Sequence, residues 1–280
     1  MAVQISNAFV TLFDSEVKQA YQGQRLLAGV TRERVGVEGS TVRFPKIGKG
    51  SATIRVPQTD VTPLNVSYSQ VTATMEDYIA AEYSDIFQQQ KVNFNERQEL
   101  VQVVSGAIAR RMDQVVLDAL DASGTTATVD NDVGGSDSNL NIEKLREAKN
   151  LLDTNNVPME GRTMLLHANS LQALLGETET TSADFNTVRA LVTGEINTFM
   201  GFRFITFGDR DEGGLPVDGS NDRTLYAFHR DAVGLGIGMN QTSRVDYIPE
   251  KTSFLVASMF SAGAVAIDDE GIVKLTCRES

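Results

Sequence analysis

Residues 35–122 constrain this chain most, because they describe material that a single subunit has trouble burying. A β-type excursion runs from Val35 to Met75, its arms reading Val35-Gly-Val37, Thr41-Val-Arg-Phe44, Val66-Ser-Tyr68 and Val71-Thr-Ala-Thr74. Between the arms lie Pro45-Lys-Ile-Gly-Lys-Gly-Ser51, Ala52-Thr-Ile-Arg-Val56 and the pair Pro57 and Pro63. A helix follows to Ala122, with an apolar stripe of Val101, Val104, Ile108, Met112, Val115 and Ala119 at helical spacing. A lone β-hairpin is marginal in water. A helix of roughly 28 residues is about 42 Å long, more than a small domain is wide. Such pieces make sense when neighbouring copies complete the core, so the spacing predicts a subunit built to assemble.

Charge supports that reading. The chain carries −12 overall, yet residues 1–59 hold eight Lys/Arg against four Asp/Glu, a net of +4, which leaves −16 on the other 221 residues. Arg32, Arg34, Arg43, Lys46, Lys49 and Arg55 all sit on the excursion or its approach. A basic arm lying across the acidic body of a second copy is expected, with salt-sensitive assembly, since opposite potentials steer association and fix register. Nucleic-acid binding by this segment lacks the interleaved aromatics of a single-strand platform.

Several classes are excluded on composition. No apolar run approaches the 18–20 residues or so of a membrane span, and Met1-Ala-Val-Gln-Ile-Ser-Asn7 lacks the basic start and apolar core of a signal peptide. Synthesis in a cytosol is expected. Cys277 is the one cysteine, so no internal disulfide forms.

Along the chain, residues 1–30 read as an arm with a short amphipathic helix carried by Val10, Phe13, Val17, Ala20 and Tyr21. Asn93 and Glu96 have the spacing of a cap for the long helix, and Gly124 marks its stop. Arg110 and Arg111 interrupt its apolar surface and are expected to face partners or solvent. A glycine-rich loop (123–138) leads to a helix over 142–152, a buried strand over 162–167, a short helix over 169–175 and a strand over 201–207. Further strands are expected at 225–229, 244–248, 254–260, 263–267 and 272–277. Helices and strands mix without βαβα regularity, so the class is α+β.

Catalytic chemistry finds no footing. The two histidines, His167 and His229, lie in strand-like segments and read as structural. No His/Cys cluster has zinc spacing, and no Gly-x-Ser-x-Gly elbow occurs. Gly234-Leu-Gly-Ile-Gly238 is superficially like a dinucleotide loop but leads to a strand rather than the required helix. Its glycines read better as places where strands pack closely. Asp130-Asn-Asp132 and Asp209-Arg-Asp211 open like calcium loops without the glutamate at the twelfth position. No cofactor and no metal are expected.

This order of parts resembles the tailed-bacteriophage major capsid proteins of the Hong Kong 97-like fold. The resemblance is carried by Ala227-Phe-His-Arg-Asp-Ala-Val-Gly-Leu-Gly236, Ile248-Pro-Glu-Lys-Thr-Ser253, Gly263-Ala-Val-Ala-Ile-Asp268 with Gly271-Ile-Val-Lys-Leu275, and by Gly194 to Phe207. It implies an amino-terminal arm (1–34), an extended loop (35–75), a peripheral domain with a spine helix (76–124), an axial domain (125–240) and a return to the peripheral domain (241–280). It further implies hexamers and pentamers closing an icosahedral shell around double-stranded DNA, held without sequence-specific binding. A portal, a separate scaffolding protein and decoration proteins are implied partners, and no membrane is. Inter-subunit contacts are expected at Phe9, Phe13, Arg32, Arg34, Arg43, Phe44, Lys46, Lys49, Ile54, Arg55 and Val56. Some relatives crosslink through a lysine on the extended loop; Lys46 and Lys49 lie in a comparable region, but the asparagine and glutamate such a bond needs have no match here. The rival readings are an encapsulin-type compartment shell, which shares the fold, and an α+β enzyme or binding protein.

Overall fold

The computed structural model describes residues 24–61, 63–90, 95–176, 198–210 and 212–279. The amphipathic helix expected before residue 24, with Phe9 and Phe13, lies outside these residues, as do Asn93 and the first four residues (194–197) of the Gly194–Phe207 stretch.

Two larger sheets and one hairpin carry the described strands. The first sheet has the order β1 (Arg32–Val35), β10 (Val233–Ile248), β11 (Ser253–Ala266), β4 (Glu76–Asp85). Its spine is the β10–β11 ribbon, paired from Val233↔Ala266 to Ile248↔Ser253, with register shifts between Ile237 and Thr242. The sequence had suggested separate short strands at 244–248, 254–260 and 263–267; each is instead part of one long strand. Gly234, Gly236 and Gly263 look like breaks, but the ladder continues through them, and only Gly238 falls at a register shift.

Helix α2 (Glu96–Asp121) lies on this sheet, against β11, β4 and β10. At 26 residues it is about 39 Å long. The expected stripe is its buried face: Val104, Ile108, Met112, Val115 and Ala119 are buried, while Val101 near the start is half-buried. Asn95 stands at the N-cap without a side-chain cap bond. Glu96, expected to belong to a cap, instead accepts from Ser84 Oγ of β4 at 2.8 Å.

The second sheet runs β5 (Thr128–Val129), β12 (Ile272–Arg278), β9 (Asp222–His229), β6 (Arg162–His167), β8 (Phe202–Phe207), β7 (Thr198–Phe199). Strand β6 is buried along its whole length, paired parallel to β8 and antiparallel to β9. Helix α3 (Ile142–Thr154) packs on β12; Asn141 caps it by accepting from Lys144 N at 2.8 Å. Helix α4 (Ala168–Gly176) follows β6. One hydrophobic core joins both sheets, from Leu27, Ile108 and Leu120 through Phe202, Tyr226 and Phe260.

Two buried polar groups sit side by side beneath helix α3 and strand β12. Lys144 is fully buried and donates to Ser138 O (2.7 Å) and Thr276 O (2.9 Å), pinning the glycine-rich loop to β12. Burial lowers its pKa. Beside it, burial pushes the Cys277 thiol up to about 12. The thiolate is the reactive species, so an alkylating reagent should label Cys277 only after unfolding; stoichiometric labelling of the native protein would contradict this packing.

Candidate assembly surfaces

The excursion divides into two parts with different fates. Its base is a hairpin of β2 (Thr41–Ile47) and β3 (Tyr68–Thr74), in register from Thr41↔Thr74 to Ile47↔Tyr68. One face of this hairpin lies on its own subunit. Val42, Phe44 and Ala73 form a small buried cluster with Ile267, flanked by Val37, Met75 and Val265. The glycines of β10 make the contact possible: a Cβ at Gly234 would stand 2.8 Å from the Phe44 ring, and one at Gly236 would stand 2.6 Å from Val42 Cγ1. The close-packing role expected for these glycines is therefore what they perform.

Phe44 needs correction on that ground. It was expected at a contact between copies, but it is 3% exposed and packs within its own chain, so it has almost no surface to offer a second one. Two of the basic residues are also engaged at home. Lys46 Nζ lies 2.8 Å from Asp268 and Lys49 Nζ 2.6 Å from Glu270, both acids in the turn before β12. That turn of the same chain supplies acidic partners for the basic hairpin. The Lys49 pair is exposed and the Lys46 pair half-buried; exposed pairs contribute little each. Arg34 reaches the Arg43 carbonyl at 3.4 Å. Arg32, Arg43 and Arg55 are exposed.

Beyond the base, Gly48 N donates to Ser67 O at 2.8 Å and closes the ladder. The tip that follows, including Ala52–Val56, has no regular secondary structure among the described residues. Ile54 is 94% exposed and Val61 89%; Ile47, Val56, Leu64 and Tyr68 are exposed as well. Scattered exposed apolar residues need no explanation; here four lie on the tip (Ile54, Val56, Val61 and Leu64) and two, Ile47 and Tyr68, at the end of the ladder beneath it.

A matching surface lies on the first sheet. Strand β4 is an edge strand, and residues 76–85 carry Glu76, Asp77, Glu82 and Asp85 with no Lys or Arg. Residues 41–59 carry Arg43, Lys46, Lys49 and Arg55 with no Asp or Glu. Ile79 on β4 and Phe87 in α1 (Ile86–Gln89) are exposed beside the acids. This acidic edge was missed in the sequence; the signal that could have found it is the run of four acids without a cation. An edge of unpaired backbone groups is a ready template for another chain.

Arg111, expected to face partners or solvent, is bound within its own chain. Its guanidinium lies 4.6 Å from the Tyr78 ring centroid and 3.3 Å from Glu212. Arg110 is half-buried.

The histidines are structural in position. His167 is buried, with Nδ1 2.9 Å from Glu279 and Nε2 3.2 Å from Asp209, the second without hydrogen-bond geometry. His229 Nε2 lies 2.9 Å from the Glu160 carbonyl. Among the described residues no group of His, Cys, Asp or Glu is placed to hold a metal, and no helix is long and apolar enough to cross a membrane.

A family model described as phage capsid protein matches residues 5–279. The chain belongs to the phage capsid protein family. Solved structures agree on the fold of this capsid protein, which is Hong Kong 97-like. The capsid of cyanophage P-SCSP1u aligns with TM-score 0.77 at 14% identity, covering 100% of this chain and 96% of that one. The head of Helicobacter pylori bacteriophage KHP40 aligns with TM-score 0.76 at 12% identity, covering 96% and 95%. A capsid of a native GTA particle aligns with TM-score 0.71 at 12% identity, covering 98% and 97%. No curated protein matches by sequence. At such identities the structural likeness speaks for the fold, while the family match makes this a major capsid protein.

Proposed function

We propose that this capsid protein assembles through hexamers and pentamers into a closed icosahedral shell around double-stranded DNA, with the hairpin tip of each copy seated on the acidic β4 edge of another. The first sheet with α2 forms the peripheral part of each subunit and the second sheet the axial part. The role is structural rather than catalytic. Synthesis in the host cytoplasm, a portal, a separate scaffolding protein and decoration proteins belong to the same reading.

The observation that carries it is the exposed tip. Ile54, Arg55 and Val56 combine apolar area with uncompensated positive charge, and β4 offers the complement. Arg32, Arg34 and Arg43 flank the same contact in this reading. Apolar burial contributes roughly 25 cal/mol per Å² before association costs are subtracted. Each seat can therefore be weak alone. A subunit in a shell makes several at once, which raises the effective concentration for every further contact.

Ile54→Asp should leave the subunit folded, because Ile54 touches no core, yet abolish or sharply reduce closed shells in electron micrographs. Unchanged shell yield would remove the tip from the contact. The contents of purified shells separate the two container readings. A nucleic-acid absorbance ratio supports the phage shell, whereas a copurifying enzyme supports a cargo compartment.

A further inference from the structure

Three arginines from three elements line one recess of about 450 Å³: Arg162 at the start of β6, Arg203 in β8 and Arg230 in the turn after β9. The recess lies where residues 29–30 leave the arm and meet the end of the second sheet. Among the described residues its charged lining is these three arginines and Glu160, with Arg162 already answered by Asp153 outside the recess.

Two of these arginines, Arg203 and Arg230, lack the carboxylate partner that is common in this protein. Elsewhere guanidinium groups near the second sheet are answered by carboxylates: Arg223 by Glu279 and Asp209, Arg278 by Asp222 and Asp137, Arg210 by Asp113. Here Arg162 is 2% exposed. Its Nη2 meets Asp153 at 2.6 Å and the Val157 carbonyl, and its Nε donates to the Pro158 carbonyl. Its Nη1 is buried with no partner. A buried donor left unmade calls for an explanation, an unseen ligand among them. Arg230 donates Nε to the Thr31 carbonyl at 3.4 Å. Neither Arg203 nor Arg230 has a carboxylate within ion-pair distance among the described residues, and Glu160 pairs with none of the three.

Guanidinium forks match the oxygens of phosphate and carboxylate. Arg203 and Arg230 present two guanidinium groups that no described carboxylate answers, enough to meet both charges of a phosphate, and the volume falls in the range of small-ligand pockets. The geometry points to a phosphate-binding site in this recess, with Arg203 and Arg230 as the outer ligands and Arg162 as the buried one. The phosphate is either a free ion or a phosphodiester of nucleic acid.

Titration of the full chain with inorganic phosphate, read as a thermal shift and by calorimetry, tests the site. The wild type should bind, and Arg203→Ala with Arg230→Ala should weaken binding about tenfold or more, since charged hydrogen bonds are the strong ones. Both residues are exposed, so the double variant should keep the wild-type urea midpoint. Arg244→Ala, an exposed arginine on β10, should leave phosphate binding unchanged and controls for bulk charge. A short duplex oligonucleotide that competes with phosphate, and loses this competition in the double variant, identifies the phosphodiester as the source. Phosphate binding that duplex does not disturb identifies the free ion. Phosphate binding that is absent, or equal in wild type and double variant, overturns the proposal.

Discussion

Replacing Asp113 by alanine should destabilise the subunit by about 3–5 kcal/mol, the range for removing one partner of a buried charge network. Asp113 is fully buried on α2. Its carboxylate accepts from Leu26 N at 2.9 Å and Leu27 N at 3.0 Å, and Arg210 Nη1 lies 3.3 Å away. Three segments meet at this one side chain: the exit of the arm, the long helix and the loop after β8. Alanine would strand two amides and a guanidinium in the interior. Asp113→Asn keeps one acceptor oxygen and should lose less. Urea unfolding of the isolated subunit measures both; a loss below about 1 kcal/mol for the alanine variant, within reach of an ordinary surface change, would contradict the account.

The pH dependence has a definite sign. Burial pushes the Asp113 carboxyl above its ordinary value, outweighing the amides of Leu26 and Leu27 and the Arg210 charge, which pull it down. The folded chain therefore holds that proton more tightly than the unfolded one. The stability this supplies is full below the ordinary carboxylate value and is lost as pH rises through the raised folded value. Measured against Asp113→Asn, the wild type should gain stability as pH falls from about 7 towards about 4. A difference that shrinks on acidification would show the opposite shift.

Gly263→Val should cost about 3 kcal/mol, the upper end of overpacking penalties. A Cβ there would collide with the Thr74 carbonyl oxygen and stand 2.8 Å from its carbon, at the junction of β3 and β4. Both obstacles are backbone, so no rotamer change relieves them. The hairpin base must lift, taking Phe44 and Val42 off the β10 glycines and weakening the Lys46–Asp268 pair. Gly208→Val is the control, since nothing lies within 4 Å of a Cβ at that glycine. Comparable urea midpoints for the two variants would mean that the hairpin base is not held by this close approach.

The contrast between Phe44 and Ile54 shows where sequence reasoning stopped. Both are apolar residues in the same excursion, and alternation says only that one face of a hairpin is apolar. It does not say whether that face meets its own sheet or another copy. The answer lies in Gly234, 190 positions from Phe44, whose missing side chain makes room for the ring. The ion pairs of Lys46 and Lys49 were hidden for the same reason, their partners being 222 and 221 positions away. The long helix was legible because its stripe is strictly local, and helix α3 because Asn141 caps it. The β10–β11 ribbon was read as fragments because glycine and small residues break a strand pattern while permitting close packing. Edge strand β4 went unread because half of it is exposed, which blurs the alternation.

Electron cryo-microscopy of the purified particle tests the central claim most directly. The account predicts a closed shell in which Ile54 and Val56 of each copy are buried against the β4 edge of another. Shells whose tips stand free in solvent, or a monomer with the tip folded back on itself, would contradict it.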